Sequence, residues 1–511
     1  MTPFDHEIVI VGAGVAGIGA AIEFQRRGLT DFVILERADE VGGTWRDNVY
    51  PGLTVDIPTL IYSYSYAQKP DWSSLWAPQA ELLDYCRDTV ETHDLRPRLR
   101  FGCEVLEAWF EAEAGGWRVR LADGTELSCR FLVNASGYLS TPKWPDLPGL
   151  AAFRGTRLHS AQWPEGLDLA GRRVAFIGTG ATGIQLAPKL AGVADRLHVF
   201  QRTPIWLLPK PAMRLPRALQ RTFRRLPWTQ RLARLLVSGF MDLVVFRRFT
   251  FYRQVAWLGW IAEWACRRHL SGQVEDPGLR DRLTPRFAWG CKRPSFSSDY
   301  FPIFNRPDVE LVDDPIERLT PDGIVTSDGT VREVDAVICA TGFQAFEKSA
   351  LPTYPVRGRD GEDLADYWDR GRYQAFRGFA VHGYPNFFLM FGPYSVSSSS
   401  YFGMVETTAR SIARCLLEAR RRDAGTVEVD ARSQAQEFAR ILRAKERSIW
   451  AGSACRGSNT YYLDRFGDTP GFRPSSHPRE WLASRFAPMK HFRFQPIPAP
   501  HPRVEQPAES G

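Results

Sequence analysis

The sequence predicts an α/β fold made of two parallel-sheet βαβ units with a helical insertion, and three observations carry that prediction. A glycine-rich turn, Gly12-Ala13-Gly14-Val15-Ala16-Gly17, stands between a β-branched run and a helical stretch. A second turn, Gly178-Thr179-Gly180-Ala181-Thr182-Gly183, repeats the arrangement. Each unit is closed by a similar buried run ending in small residues, Phe131–Gly137 in one case and Ala336–Gly342 in the other. A G-x-G-x-x-G turn is weak evidence alone; two of them, each between a strand and a helix, are a strong signal for dinucleotide-binding Rossmann-like units.

The elements follow in order. Glu7–Val11 reads as a strand, the helix runs to Arg27 and stops at Gly28, and Phe32–Leu35 is the next strand, ending in Glu36. Trp117–Leu121 and Glu126–Cys129, with Asp123-Gly124 between them, read as a hairpin leading to the first closing strand. The second unit takes Arg173–Ile177, a helix to about Leu190, and Leu197–Gln201, ending near Arg202. Residues from about 205 to 290 read as a helical insertion. From about 486 the chain turns polar and proline-rich, an extended tail. The division expected is thus 1–150, 151–335 containing the insertion, 336–485 returning to the first unit, and the tail 486–511.

Composition sets the outer limits. A chain of 511 residues exceeds a single core and predicts two to four domains. The charge of +7 is spread over 65 basic and 58 acidic residues, too diluted to argue for nucleic acid. The eight cysteines show no C-x-x-C spacing, so neither a disulfide framework nor a zinc site is expected and a reducing cytosol is. No metal site is anticipated. The most apolar stretch, Trp228 to Ala265, is broken by Arg231, Arg234, Asp242, Arg247, Arg248, Arg253 and Glu263, which excludes a spanning helix. Two readings of it stand: amphipathic helices touching a membrane surface, or, favoured, burial against the protein's own core or along an access channel.

The residue ending the second strand of each unit selects its nucleotide. Glu36 lies 24 positions after Gly12, where an acid accepts a hydrogen bond from a ribose 2′-hydroxyl. The same 24 positions from Gly178 reach Arg202, followed by Thr203. A guanidinium there pairs with a 2′-phosphate that an acid would repel. The first unit therefore suits FAD, bound through Gly12, Gly14 and Gly17. The second suits NADPH, bound through Gly178, Gly180 and Gly183.

Further motifs narrow the class. Phe153, Gly155, His159 and Trp163-Pro164 stand at the spacing F-x-G-x-x-x-H-x-x-x-W-P. Gly42-Gly43-Thr44-Trp45 is followed by Tyr50-Pro51-Gly52 and Asp56, and Lys292-Arg293-Pro294 by Asp299-Tyr300. In these segments and in Ala340-Thr341-Gly342 the chain resembles the type I Baeyer–Villiger monooxygenases of the flavin-containing monooxygenase superfamily, over most of residues 1–400. The resemblance implies that NADPH reduces FAD, that O2 adds to the reduced flavin at C4a, and that the resulting peroxide attacks a ketone to give an ester or lactone. It implies Arg293 as the catalytic arginine and Asp56 as the carboxylate that holds it. Gly43, Thr44, Trp45, Asp56, Lys292, Thr341 and Gly342 would then contact cofactor, while Phe153, Gly155, His159 and Trp163 would serve as the linker between units.

Blander readings stand beside these. Asp56 can cap a turn, Arg293 can pair with any surface acid, Trp45 can be ordinary core, and the serines Ser397–Ser400 after Gly392-Pro393-Tyr394-Ser395 can be a polar loop rather than the start of a helix facing the flavin. Oxidation of sulfur or nitrogen, or NADPH oxidation without oxygen transfer, are the alternative activities. The family's glycine-rich C-terminal segment with its Trp has no clear counterpart in Ser448-Ile449-Trp450 or Ser458–Tyr462, so substrate range is not carried over.

Overall fold

The computed structural model describes residues 4–496 apart from 244–246, 349, 398 and 399. Ser398 and Ser399 of the serine run and the tail beyond 496 lie outside the described residues.

Two sheets organise the chain. In the first, His6–Val11 lies between Phe32–Leu35 and Glu126–Asn134, parallel to both. The long strand Glu126–Asn134 shares its other edge between two partners. Its first half pairs antiparallel with Gly116–Leu121, and its end pairs parallel with Phe387–Leu389, which brings the late part of the chain back into the sheet. The second sheet is wholly parallel, in the order Val309–Val312, Arg196–Phe200, Arg173–Ile177, Ala336–Cys339, Thr156–His159. The two closing runs thus occupy equivalent places, each paired with the strand that enters its glycine turn.

The same steric device fixes both turns. Gly12 has φ +106°, and a Cβ there would stand 2.7 Å from the Ala135 carbonyl oxygen; Gly178 has φ +118°, with the Ala340 oxygen 2.4 Å from its would-be Cβ. Only glycine combines that backbone with that approach. Gly17 and Gly183 repeat the logic one turn on, since a Cβ on each would meet the oxygens of Gly12 and Gly178 at 1.8 and 2.4 Å. Gly14 and Gly180 differ: a Cβ on Gly14 would reach only ordinary contact with Gly43, and one on Gly180 would stand in open space.

Behind the first sheet the helix Val15–Gln25 packs on the 21-residue helix Tyr401–Arg421, whose N-cap Ser400 accepts from the Gly403 amide. The helix expected after Gly392–Ser395 thus begins at Tyr401. Three expectations are corrected. The polar tail does not start at 486: Phe492–Gln495 pairs antiparallel with Thr426–Val429, because alternating Phe492 and Phe494 give it an apolar face. The cysteines are not all unpaired: Cys291 is disulfide-bonded to Cys455 across 164 residues, a pairing set by chain topology and invisible in local spacing. The insertion does fold as helices, principally Arg217–Arg225, Pro227–Met241, Ala256–Ser271 and Pro277–Leu283, but its apolar residues are not all internal. Leu235, Leu236, Trp260 and Trp264 are exposed, because each helix carries apolar residues on two faces and the core takes only one.

Gly17→Ala is expected to destabilise the protein by about 1–3 kcal/mol or more, the range of an overpacked core site. Gly180→Ala should stay within ~0.5 kcal/mol of the parent. Urea unfolding followed by tryptophan fluorescence compares the two.

Candidate active site

Both glycine turns open into one cavity of about 1980 Å³. Gly12, Gly14, Glu36, Gly43, Thr44, Trp45 and Asp56 line it from the first unit. Gly178, Gly180, Arg202, Thr203, Lys292, Arg293, Thr341 and Gly342 line it from the second unit and its return. Gly17 and Gly183 do not reach it; they act behind the turns, letting helix and strand approach.

The walls fit dinucleotides. The amide-bearing turns face the cavity with no side chain at Gly14 or Gly180, so phosphate oxygens can approach the backbone at the start of each helix. The turn at Gly12–Gly14 is backed by the second glycine pair: the Gly42 amide donates to the Ala13 oxygen at 3.0 Å, and Gly43 faces Gly14 without intervening side chains. Glu36 is buried and accepts from the Ala13 amide at 2.8 Å, from the Ala38 amide and from Arg46. Its carboxylate thus ties the turn to the end of the second strand. Trp45 is held by its indole N–H, which donates to the Tyr62 hydroxyl at 3.2 Å, with the two rings edge to face.

The second unit presents unmatched positive charge. Arg202 is exposed to the cavity, and neither it nor Lys292 forms an ion pair with any described residue. Lys292 donates to the Thr203 hydroxyl. Burial first, and the neighbouring Arg202 guanidinium second, push the Lys292 ammonium down to about 8. Two cations and a hydroxyl without a counter-charge form a site for a phosphate-bearing ligand.

Arg293 is matched. Its Nε and Nη2 donate to the two carboxylate oxygens of Asp56 at 2.6 and 2.8 Å, a bidentate pair. The Asp56 charge, opposed by burial, holds the guanidinium well above its ordinary range. About 40 % of the Arg293 side chain remains accessible on the cavity wall. The pair bridges the two units, since Asp56 lies on the loop after Trp45 and Arg293 follows the insertion. That loop is docked on the second unit's helix: the Thr54 amide donates to Gln185 Oε1 at 2.9 Å, and Gly52 lies against Gln185 and Lys189 so closely that a Cβ would clash.

Several site residues have no motif in the sequence. Tyr461 and Tyr462, their rings 4.7 Å apart, lie close enough to Arg293 to act on its charge. Tyr138 stacks on Phe391 at 4.1 Å. Lys210 donates to the Thr54 hydroxyl and is depressed by burial. The Cys291–Cys455 bond joins the residue before Lys292 to the C-terminal segment that carries the tyrosine pair. Tyr461-Tyr462 was visible as an aromatic pair in the chain, but nothing local placed it near residue 293.

The segment Phe153–Trp163 lies apart from the cavity. It supplies the edge strand Thr156–His159 of the second sheet, with His159 in register with Cys339. Phe153 is buried, Gly155 passes the Asp335 carbonyl too closely for any Cβ, and Trp163 packs on the second core. His159 is fully buried, its Nδ1 accepting from the Ala161 amide and its ring near Phe343 and Trp144; burial depresses its pKa. Thr341 donates to the Lys143 oxygen, and Gly342 accepts from the Lys143 amide at 2.8 Å.

Known proteins share this architecture. Residues 9–223 match the pyridine nucleotide-disulphide oxidoreductase family. The chain is 38 % identical over 463 residues to a Baeyer–Villiger monooxygenase of Streptomyces coelicolor, covering 90 % of this chain and 87 % of the relative. It is 35 % identical to a Baeyer–Villiger monooxygenase of Pseudomonas aeruginosa over 460 residues, 89 % of this chain and 85 % of the relative. Crystal structures of an oxidized steroid monooxygenase bound to NADP (30 % identity) and of closed cyclohexanone monooxygenase (28 %) both superpose with TM-score 0.83 over 96 % of this chain and 99 % of theirs. OTEMO in complex with FAD and NADP superposes at 0.84 with 25 % identity and the same coverage.

Arg202→Ala should weaken NADPH by about 1.5–3 kcal/mol, the worth of a hydrogen bond to a charged group, and leave NADH nearly unchanged. Lys292 adds a pH signature. A cation that must be protonated to hold phosphate loses affinity as pH rises through about 8, so KM for NADPH should climb above that pH. Lys292→Arg should flatten the profile; steady-state kinetics across pH compare the two proteins.

Proposed function

The chain belongs to the Baeyer–Villiger monooxygenase family, and on that premise we propose that Arg293, clamped by Asp56, is the residue on which its oxygen transfer depends. The enzyme is an NADPH- and FAD-dependent monooxygenase that converts a ketone to an ester or lactone. Bound FAD and NADPH supply hydride transfer and the activation of O2; the protein's part is binding, charge and geometry.

In this reading residues 1–150 and 336–485 form the FAD-binding part. Gly12 and Gly14 leave room for the pyrophosphate, and Glu36 has acceptor capacity for a ribose hydroxyl. Gly43, Thr44 and Trp45 form the adjoining wall. Residues 151–335 form the NADPH-binding part, in which Gly178 and Gly180 face the pyrophosphate and Arg202, Thr203 and Lys292 take the 2′-phosphate. Thr341 and Gly342 line the passage between the parts. Phe153, Gly155, His159 and Trp163 are positioning residues that set the second sheet's edge beside Gly342.

The observation that carries the catalytic assignment is the bidentate Arg293–Asp56 pair on the wall of the shared cavity. Of the five N–H groups of a guanidinium, Asp56 takes two, which leaves three to face a reacting oxygen. An arginine stays cationic where a buried lysine loses its proton, and the depressed Lys292 next to it illustrates the difference. Asp56 fixes the plane of the guanidinium, so positive charge is in place before negative charge develops on the attacking oxygen and on the former carbonyl oxygen of the substrate. Phe249, Phe296, Trp289 and Trp450 make part of the wall apolar, which suits a hydrophobic ketone.

Arg293→Ala should lower ester formation ~100- to 1000-fold, about 2.7–4 kcal/mol, with FAD retained. NADPH oxidation should persist and yield hydrogen peroxide. Asp56→Ala should move in the same direction by less. Product analysis with a ketone panel, run beside peroxide detection, is the measurement. Undiminished ester formation by Arg293→Ala would remove the assignment, and a wild-type enzyme that oxidises sulfides but no ketone would point to heteroatom oxidation.

A further inference from the structure

The insertion helices expose more apolar surface than folding requires. On Pro227–Met241, Ala233, Val237 and Met241 pack on the first core, yet Leu232, Leu235, Leu236 and Phe240 on the other side are exposed, Leu235 by 68 %. On Ala256–Ser271, Ala262 and Cys266 pack inward, while Trp257, Trp260, Ile261 and Trp264 are exposed, Trp260 by 69 %. Both sets recur at intervals of three and four residues, so each forms one helix face. Scattered exposed leucines need no explanation, but two tryptophan- and leucine-rich faces in consecutive helices do.

Their charge surroundings select the partner. Between residues 214 and 268 the chain carries twelve arginines against Asp242 and Glu263 alone. On the preceding helix Arg217, Arg221 and Arg225 recur every four residues, opposite the buried Phe223. These three and Arg231 are exposed and form no ion pair with any described residue. Among the described residues no helix is long and apolar enough to cross a membrane. The end of Pro227–Met241 also adjoins the active-site cavity, whose wall includes Phe240 and Met241.

We propose that the faces of Pro227–Met241 and Ala256–Ser271 dock the protein on an anionic lipid bilayer, with the apolar rows in the acyl region and the arginines at the phosphates. Tryptophan and leucine beside unpaired arginine is the chemistry of an interfacial helix, where apolar burial and attraction to anionic headgroups add. A second copy of the chain fits less well, since a two-fold contact through this patch would press the arginine rows against each other. The inference stands apart from the oxygenation chemistry and is read without turnover.

Flotation of the FAD-loaded enzyme with vesicles of phosphatidylcholine containing or lacking phosphatidylglycerol tests it. Binding is expected to the anionic vesicles and to fall at least ~10-fold without phosphatidylglycerol or at high salt, since each arginine at the surface contributes about fivefold. Leu235→Ser combined with Trp260→Ser should lower binding at least ~10-fold while flavin content and turnover of a short water-soluble ketone hold. Arg217→Ser, Arg221→Ser and Arg225→Ser together should do likewise by a separate route. Failure of the wild type to float with anionic vesicles, or undiminished flotation of both variants, would overturn the proposal. So would a concentration-dependent dimer, seen by sedimentation without vesicles, that the Leu235 and Trp260 substitutions disperse.

Discussion

A backbone carbonyl standing too close to leave room for a side chain's first carbon is the constraint on which the molecule is built. The Ala135 oxygen closes that space at Gly12 and the Ala340 oxygen at Gly178. Each contact joins the strand that enters a glycine turn to the strand that closes the same unit. Because neither position can carry a Cβ, strand, turn and closing run approach as bare backbone, and the following helix is drawn in over Gly17 or Gly183. Both turns thereby open onto one shared cavity. The nucleotide walls, the meeting of the two units and the place of Arg293 all descend from that twofold close approach.

Charge divides the cavity by whether it has been matched in advance. Arg293 is paired with Asp56, stays cationic and is held in plane; its remaining donors are fixed before any ligand arrives. Arg202 and Lys292 are left without acids, and burial first, with the Arg202 charge second, depresses the Lys292 pKa. A matched cation is suited to acting on charge that appears briefly during reaction, since it does not need to reorganise. Unmatched cations are suited to a ligand that brings its own permanent charge and relieves their repulsion. One guanidinium and its neighbour in sequence thus serve opposite ends, and the carboxylate of Asp56 makes the difference.

Most of the framework was legible in the chain because it is written in local patterns. Phe32–Leu35 and Arg173–Ile177 were placed to the residue, and the two closing runs proved equivalent, since glycine spacing and β-branched runs act over a few residues. What escaped depends on distant parts of the chain. The Cys291–Cys455 bond and the approach of Tyr461 and Tyr462 to Arg293 follow from how the C-terminal segment wraps, and no spacing encodes that. The exposure of Leu235 and Trp260 is illegible for another reason: periodicity shows that a helix has an apolar face but not how many such faces the core has room for. The pairing of Asp56 with Arg293 lay in between. Its residues are legible through family motifs, while its two hydrogen bonds depend on how the loop at Thr54 docks on Gln185.

That docking means the two halves are not interchangeable modules. The carboxylate is carried by one unit and the guanidinium by the other, and they meet within hydrogen-bond range only because Gly52 and Thr54 fit the helix that begins at Gly183. A chimera that took residues 151–335 from a relative would import a foreign helix surface together with a foreign arginine loop. Even if both halves folded and each kept its nucleotide, a seam displaced by an ångström would separate the pair, and misplacement on that scale costs on the order of 100-fold in rate. Under the proposed roles of Arg202 and Arg293, coenzyme preference and oxygen transfer would be inherited together, and recombination would have to respect the seam residues as well as the sheets.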